Sequence, residues 1–96
     1  MNCPVITRTA IVRNPNGLHL RPAGVLSKMA GEFTAQVQIC KDGLCVDAAS
    51  ILDLITLVAS HGSELKIQAT GDDAQAAVDA VAEFIESDVA DDDHSA

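Results

Sequence analysis

His19, Arg21 and Pro22 stand together in residues 16–24, NGLHLRPAG. A neutral imidazole nitrogen is a nucleophile near neutral pH, so a histidine can take a phosphoryl group from one donor and release it to another. Arg21 offers a guanidinium fork suited to a charge-assisted, bidentate hold on such a group. Pro22 has no N–H to donate and a fixed φ, which suits the first turn of a helix. His19 would then sit just ahead of a helix start, where unsatisfied backbone N–H groups and the positive end of the helix dipole favour an anion. The dipole is worth about 0.3–1 kcal/mol at an exposed site and up to about 2 kcal/mol at a partly buried one. Taken alone, the same histidine also fits a capping or purely structural role.

The elements that must position these residues follow from periodicity and turn signals. Residues 5–13 (VITRTAIVR) are rich in β-branched types, with Ile6, Ala10 and Val12 on one side of a period-2 pattern, which predicts a strand. Residues 14–17, Asn-Pro-Asn-Gly, break it. A helix is expected from about 21 to 30, with Ala23, Leu26, Met29 and Ala30 as its buried stripe and Gly31 as its end. Residues 34–40 and 45–48 form a hairpin around Asp42-Gly43, with Ile39 and Val46 facing the core and Cys40 opposite Cys45 on the other face. A second helix is expected from Ser50 to Gly62, opened by a capping box with Asp53. Residues 64–70 form a strand, and a last helix over 73–87 buries Ala77, Val78, Val81, Ala82, Phe84 and Ile85. The order βαββαβα predicts an α+β fold, a four-stranded antiparallel sheet with three helices on one face and water on the other.

Ninety-six residues fit one domain. Apolar residues make up 48% of the chain but aromatics only 2%, so Val, Ile, Leu and Ala must build the core, with Phe33 and Phe84 as its largest expected pieces. A formal net charge of −8 argues against binding nucleic acid, which needs clustered Lys and Arg. Residues 89–96 are small and acidic and are expected to form a disordered tail beyond a domain over 1–88. His94 in that tail reads as solvated, and His61 as a loop residue. No apolar run approaches the roughly 20 residues of a membrane span, and no secretory leader is evident, so a cytoplasmic protein without membrane insertion is expected. Three cysteines without CxxC spacing indicate neither a disulfide framework nor a zinc site. Cys40 and Cys45 would oppose each other at a non-hydrogen-bonded pair and are able to bridge there, but in a reducing cytosol free thiols are expected.

Two further groups of residues bear on function. Ser50 as an N-cap is worth about 1 kcal/mol to its helix. If Leu54 and Leu57 face the sheet, then Ile51, Leu52 and Ile55 exceed what that helix needs to bury. With Leu20 they either form an exposed apolar patch suited to transient docking or belong to the core.

The motif GLHLRPA at 17–23, the segment ASILDL at 49–54 and the closing helix resemble HPr, the histidine-containing phosphocarrier family of the bacterial phosphoenolpyruvate-dependent phosphotransferase system (PTS). The resemblance runs from about residue 4 to 88 without a large insertion. It implies the HPr-like open-faced β-sandwich, no cofactor and no metal, and a stoichiometric carrier rather than an enzyme. His19 would take phosphate at Nδ1 from phospho-enzyme I and pass it to EIIA-type domains. Arg21 would neutralise the phosphate, while Pro22, Ala23 and the N–H groups that follow would form the helix start that holds it. Asn16 and Gly17 match the turn that presents the histidine. Leu20, Ile51, Leu52, Ile55 and Lys28 fall where partners of a monomeric HPr dock. Ser50 matches the regulatory serine modified by HPr kinase/phosphorylase in organisms that have one, and is a plain N-cap elsewhere. Ala49 and Asp53 replace polar or basic residues of many HPr proteins and make the docking face more acidic.

The leading expectation is a phosphoryl carrier of a sugar or a nitrogen-type branch, and the character of residues 49–55 leaves the branch open. Two other classes remain beside it: a regulatory adaptor acting mainly through Ser50 phosphorylation, and a binding domain whose histidine is structural.

Overall fold

In the computed structural model, seven elements follow in the order β1 (Val5–Ile11), α1 (Leu20–Gly31), β2 (Gln36–Lys41), β3 (Leu44–Asp47), α2 (Ile51–Thr56), β4 (Glu64–Thr70) and α3 (Ala74–Glu86). The structure describes residues 5–18, 20–57 and 59–87. The expectations for His19, for His94 and for a tail over 89–96 lie outside them.

The strands form one antiparallel sheet in the order β1-β4-β2-β3. β4 pairs with β1 from Val5↔Thr70 to Ile11↔Glu64, and with β2 from Gln36↔Thr70 to Cys40↔Lys66. Because β1 and β2 both run antiparallel to β4, they are parallel to each other, and α1 is the crossover that returns the chain. Alternation then sorts the side chains by face. Ala10, Val37, Ile39, Leu65, Ile67 and Ala69 are buried beneath the helices. Thr7, Thr9, Gln36, Gln38, Glu64, Lys66 and Thr70 are exposed on the other face. α1 contributes Ala23, Leu26 and Ala30 to the core, and α3 contributes Ala74, Ala77, Val78, Val81, Ala82 and Ile85. The alanines let the α3 backbone lie close on β1 and β4.

The hairpin forms as its turn chemistry requires. Asp42 (φ +50°) and Gly43 (φ +87°) both take positive φ, the two-residue turn whose twist matches the flanking strands. The pairs Ile39↔Val46 and Cys40↔Cys45 follow.

Four expectations are corrected. Phe33 and Phe84 only pack against the core from outside; its largest fully buried side chains include Leu26, Ile39, Leu54, Leu65 and Ile67. The second helix stops at Thr56 rather than Gly62, and the chain beyond it supplies the Ala59 carbonyl to the Leu18 N–H at 2.7 Å. The capping box is only half formed. Ser50 Oγ accepts from the Asp53 N–H at 3.3 Å, but the Asp53 carboxylate accepts from the Asp47 N–H and the Ser50 N–H donates to the Asp47 carbonyl. Finally, Cys40 and Cys45 are joined by a disulfide and are not free thiols. A non-hydrogen-bonded cross-strand pair is where opposed side chains come closest.

Candidate functional site: the start of α1

The chain passes from β1 to α1 through a turn tied down at several points. The Asn14 carbonyl accepts from the Gly17 N–H at 2.9 Å, and Asn14 Oδ1 accepts from the Asn16 N–H at 2.9 Å. Asn14 is 4% exposed, a buried polar residue among apolar neighbours. The only signal of this role in the sequence is the asparagine two residues ahead of the bonded amide, a recurrent turn pattern.

Gly17 takes φ +75°, and a Cβ there would lie 2.7 Å from the Ala59 oxygen and 2.9 Å from Ser60 Cα. Only glycine permits both the left-handed backbone and this approach. The chain after α2 therefore clamps the segment that leads to position 19, and the Leu18–Ala59 hydrogen bond closes the clamp.

α1 opens at Leu20, the residue after His19. Pro22 and Ala23 in its first turn are buried, which fixes the helix start against the core, while Leu20 (65% exposed) and Arg21 face solvent. Pro22 brings no N–H of its own. The first turn carries no acidic residue, and no side chain among the described residues accepts from the Leu20 or Arg21 amides. Nor does Arg21 form an ion pair with a described residue. Amides that no described side chain claims, a guanidinium and the positive helix end make this spot favourable for an anion.

The remaining candidates fall at different places. Lys28 is exposed in the last turn of α1, roughly 12 Å along the axis from Leu20 at about 1.5 Å per residue, where a cation suits the helix dipole. Ser50 is the half-buried N-cap of α2. Leu54 and Leu57 are buried, and Leu52 (72%) and Ile55 (37%) are exposed. Ile51 differs from them: it is half-buried, packs on the core and reaches toward Gly24, where a Cβ would meet its Cδ1 at 3.3 Å. It wedges α2 against α1 instead of joining an open patch. Val25 on α1 is also exposed, at 46%, because it lies off that helix's buried stripe. His61 is exposed in the turn before β4.

Comparison with known proteins agrees with this geometry. The family model "PTS HPr component phosphorylation site" matches residues 6–87. Phosphocarrier protein HPr of Borreliella burgdorferi is 40% identical over 83 residues, which cover 86% of this chain and 96% of that protein. The HPr-like protein Crh of Bacillus subtilis is 38% identical over 78 residues, 81% of this chain and 92% of that one. Among solved structures, HPr-C-His from Thermoanaerobacter tengcongensis superposes with a TM-score of 0.84 at 34% identity, covering 91% of this chain and 98% of its own. The match runs from β1 to the end of α3 and takes in the whole turn-and-helix segment around positions 16–23, and on that ground the chain belongs to the HPr family of PTS phosphocarriers.

Proposed function

We propose that this protein accepts a phosphoryl group on Nδ1 of His19 from phospho-enzyme I and donates it to EIIA-type domains, as a monomeric, stoichiometric relay in the cytoplasm. The observation that carries this reading is the α1 start. Arg21 is exposed and without a described ion-pair partner, the adjacent amides have no side-chain cap among the described residues, and no carboxylate lies in the first turn. A dianionic phosphoryl group attached at position 19 would meet donors and positive potential from both backbone and side chain. Leu20, Leu52 and Ile55 supply exposed apolar surface on two helices packed together, suited to partners that bind briefly and leave.

Ser50 is the proposed point of regulation by HPr kinase/phosphorylase. A phosphate there adds about −1.5 to −2 charges within a cap already built from Asp47 and Asp53. Partners selected for the unmodified surface would be repelled.

The test is incubation with enzyme I and phosphoenolpyruvate. Acid-labile phosphate that is lost in His19→Ala and forms more slowly in Arg21→Ala supports the carrier. Acid-stable, ATP-derived phosphate on Ser50 alone would instead favour a regulatory adaptor, and no phosphate in either assay would favour a binding domain with a structural histidine.

A further inference from the structure

We propose that Cys40–Cys45 is a reversible thiol–disulfide exchange site, with Cys45 the sulfur attacked and a low-molecular-weight thiol such as glutathione as its redox partner. The bond lies on the sheet face turned away from the helices and joins β2 to β3, the edge strand. In front of it runs an open groove of about 630 Å³, lined by both cysteines and by Lys41, Glu64, Lys66 and Gln68. An attacking thiol needs such an approach, and exposed disulfides are the labile ones.

The two sulfurs are not equivalent. Cys45 is exposed, whereas Cys40 is only 6% exposed and has its sulfur 3.9 Å from Gln68 Oε1. Attack is therefore directed to Cys45, and Cys40 is the leaving group. Nor does the fold need the bridge. The cysteines are separated by 5 positions, a short ring that restricts the unfolded chain less than a long one. The hairpin has its own turn and register, and β2 is held independently by β4. A bridge that is accessible and dispensable to the fold suits redox sensing better than structural stapling.

The exchange proceeds in two displacements. A thiolate attacks Cys45 Sγ, the Sγ–Sγ bond breaks, and Cys40 departs as a thiolate with the bonding electron pair. A second thiolate then attacks the small-molecule sulfur of the mixed disulfide and releases Cys45 as a thiolate. Two external thiols become one external disulfide, and the two protons they lost end on Cys40 and Cys45. Oxidised glutathione drives the reverse sequence.

The experiment equilibrates the full chain in buffers of varied reduced-to-oxidised glutathione ratio, quenches with acid, alkylates, and reads each cysteine by mass spectrometry while circular dichroism follows the fold. Cys40 and Cys45 should convert together and reversibly with the spectrum unchanged, and glutathione should be captured on Cys45. The Cys40→Ser variant should accumulate that adduct, and Cys45→Ser should lose it without gaining one at Cys40. A bridge that opens only after the protein unfolds, two thiols that persist in oxidised glutathione alone, or a first adduct on Cys40 would each overturn the proposal. Because the readout is cysteine modification, its failure leaves phosphate acceptance at His19 untouched, and the reverse holds as well.

Discussion

Replacing Gly17 by alanine tests how the fold holds the segment before His19. The residue sits at φ +75°, where an L side chain costs about 1–2 kcal/mol. The new methyl would lie 2.7 Å from the Ala59 oxygen and 2.9 Å from Ser60 Cα. Both are backbone atoms, so no side chain can swing aside to relieve the contact. If the 59–60 segment retreats, it also surrenders the Leu18–Ala59 hydrogen bond, worth about 1 kcal/mol. Together these effects give about 3 kcal/mol, which for a domain of this size lowers Tm by on the order of 15 °C. Urea denaturation followed by circular dichroism should show a lower midpoint at unchanged m. Gly31→Ala is the control: no atom lies within 4 Å of its Cβ and its φ is not in the left-handed range, so better helix propensity should stabilise by about 0.5 kcal/mol. Equal effects at the two glycines, or a loss below about 1 kcal/mol at Gly17, would refute the clamp.

Leu54→Ala should cost about 2–5 kcal/mol in the same denaturation assay, since this leucine is fully buried and its removal leaves a cavity. Ser50→Ala should cost about 1 kcal/mol through loss of the Asp53 cap bond, read as a lower urea midpoint. Asp73 accepts from the Thr34 N–H at 2.9 Å and the Ala35 N–H at 2.7 Å, and these bonds, Thr34's foremost, hold its carboxyl below the usual carboxylate range. A depressed folded pKa stabilises fully above the unfolded value of about 3.9 and less as pH falls through the folded one. The stability gap between wild type and Asp73→Asn should therefore stay constant from neutral pH to about pH 5 and shrink below about pH 4, as denaturation at a series of pH values would show.

Much of the fold was legible because its local signals agree with one another. Asp42-Gly43 specified the hairpin turn, and with it the register that opposes Cys40 to Cys45. Pro22 marked the α1 start, and alternation in β4 gave its faces. What escaped depends on contacts distant in sequence. α2 stops early where the following chain turns to give the Ala59 carbonyl to the Leu18 N–H, a contact with a residue far earlier in the chain that no local pattern in residues 57–63 announces. Asp73 serves the amides of Thr34 and Ala35 rather than capping its own helix, for which it makes no side-chain bond. Size alone would place Phe33 and Phe84 in the core, but close helix–sheet packing through alanine leaves little room for a ring. Residue types and spacing were enough to place Arg21 and Pro22 in the first turn of α1, whereas the Asn14 turn and the Ala59 clamp needed coordinates.

The central claim, that the start of α1 holds a phosphoryl group borne by His19, is tested most directly by amide NMR before and after phosphorylation with enzyme I and phosphoenolpyruvate. The largest downfield shifts are expected at the free first-turn amides, Leu20 and Arg21, together with a phosphorus signal of a phosphohistidine. A phosphohistidine signal that leaves those amides unmoved, or phosphate found on a residue other than His19, would contradict the account.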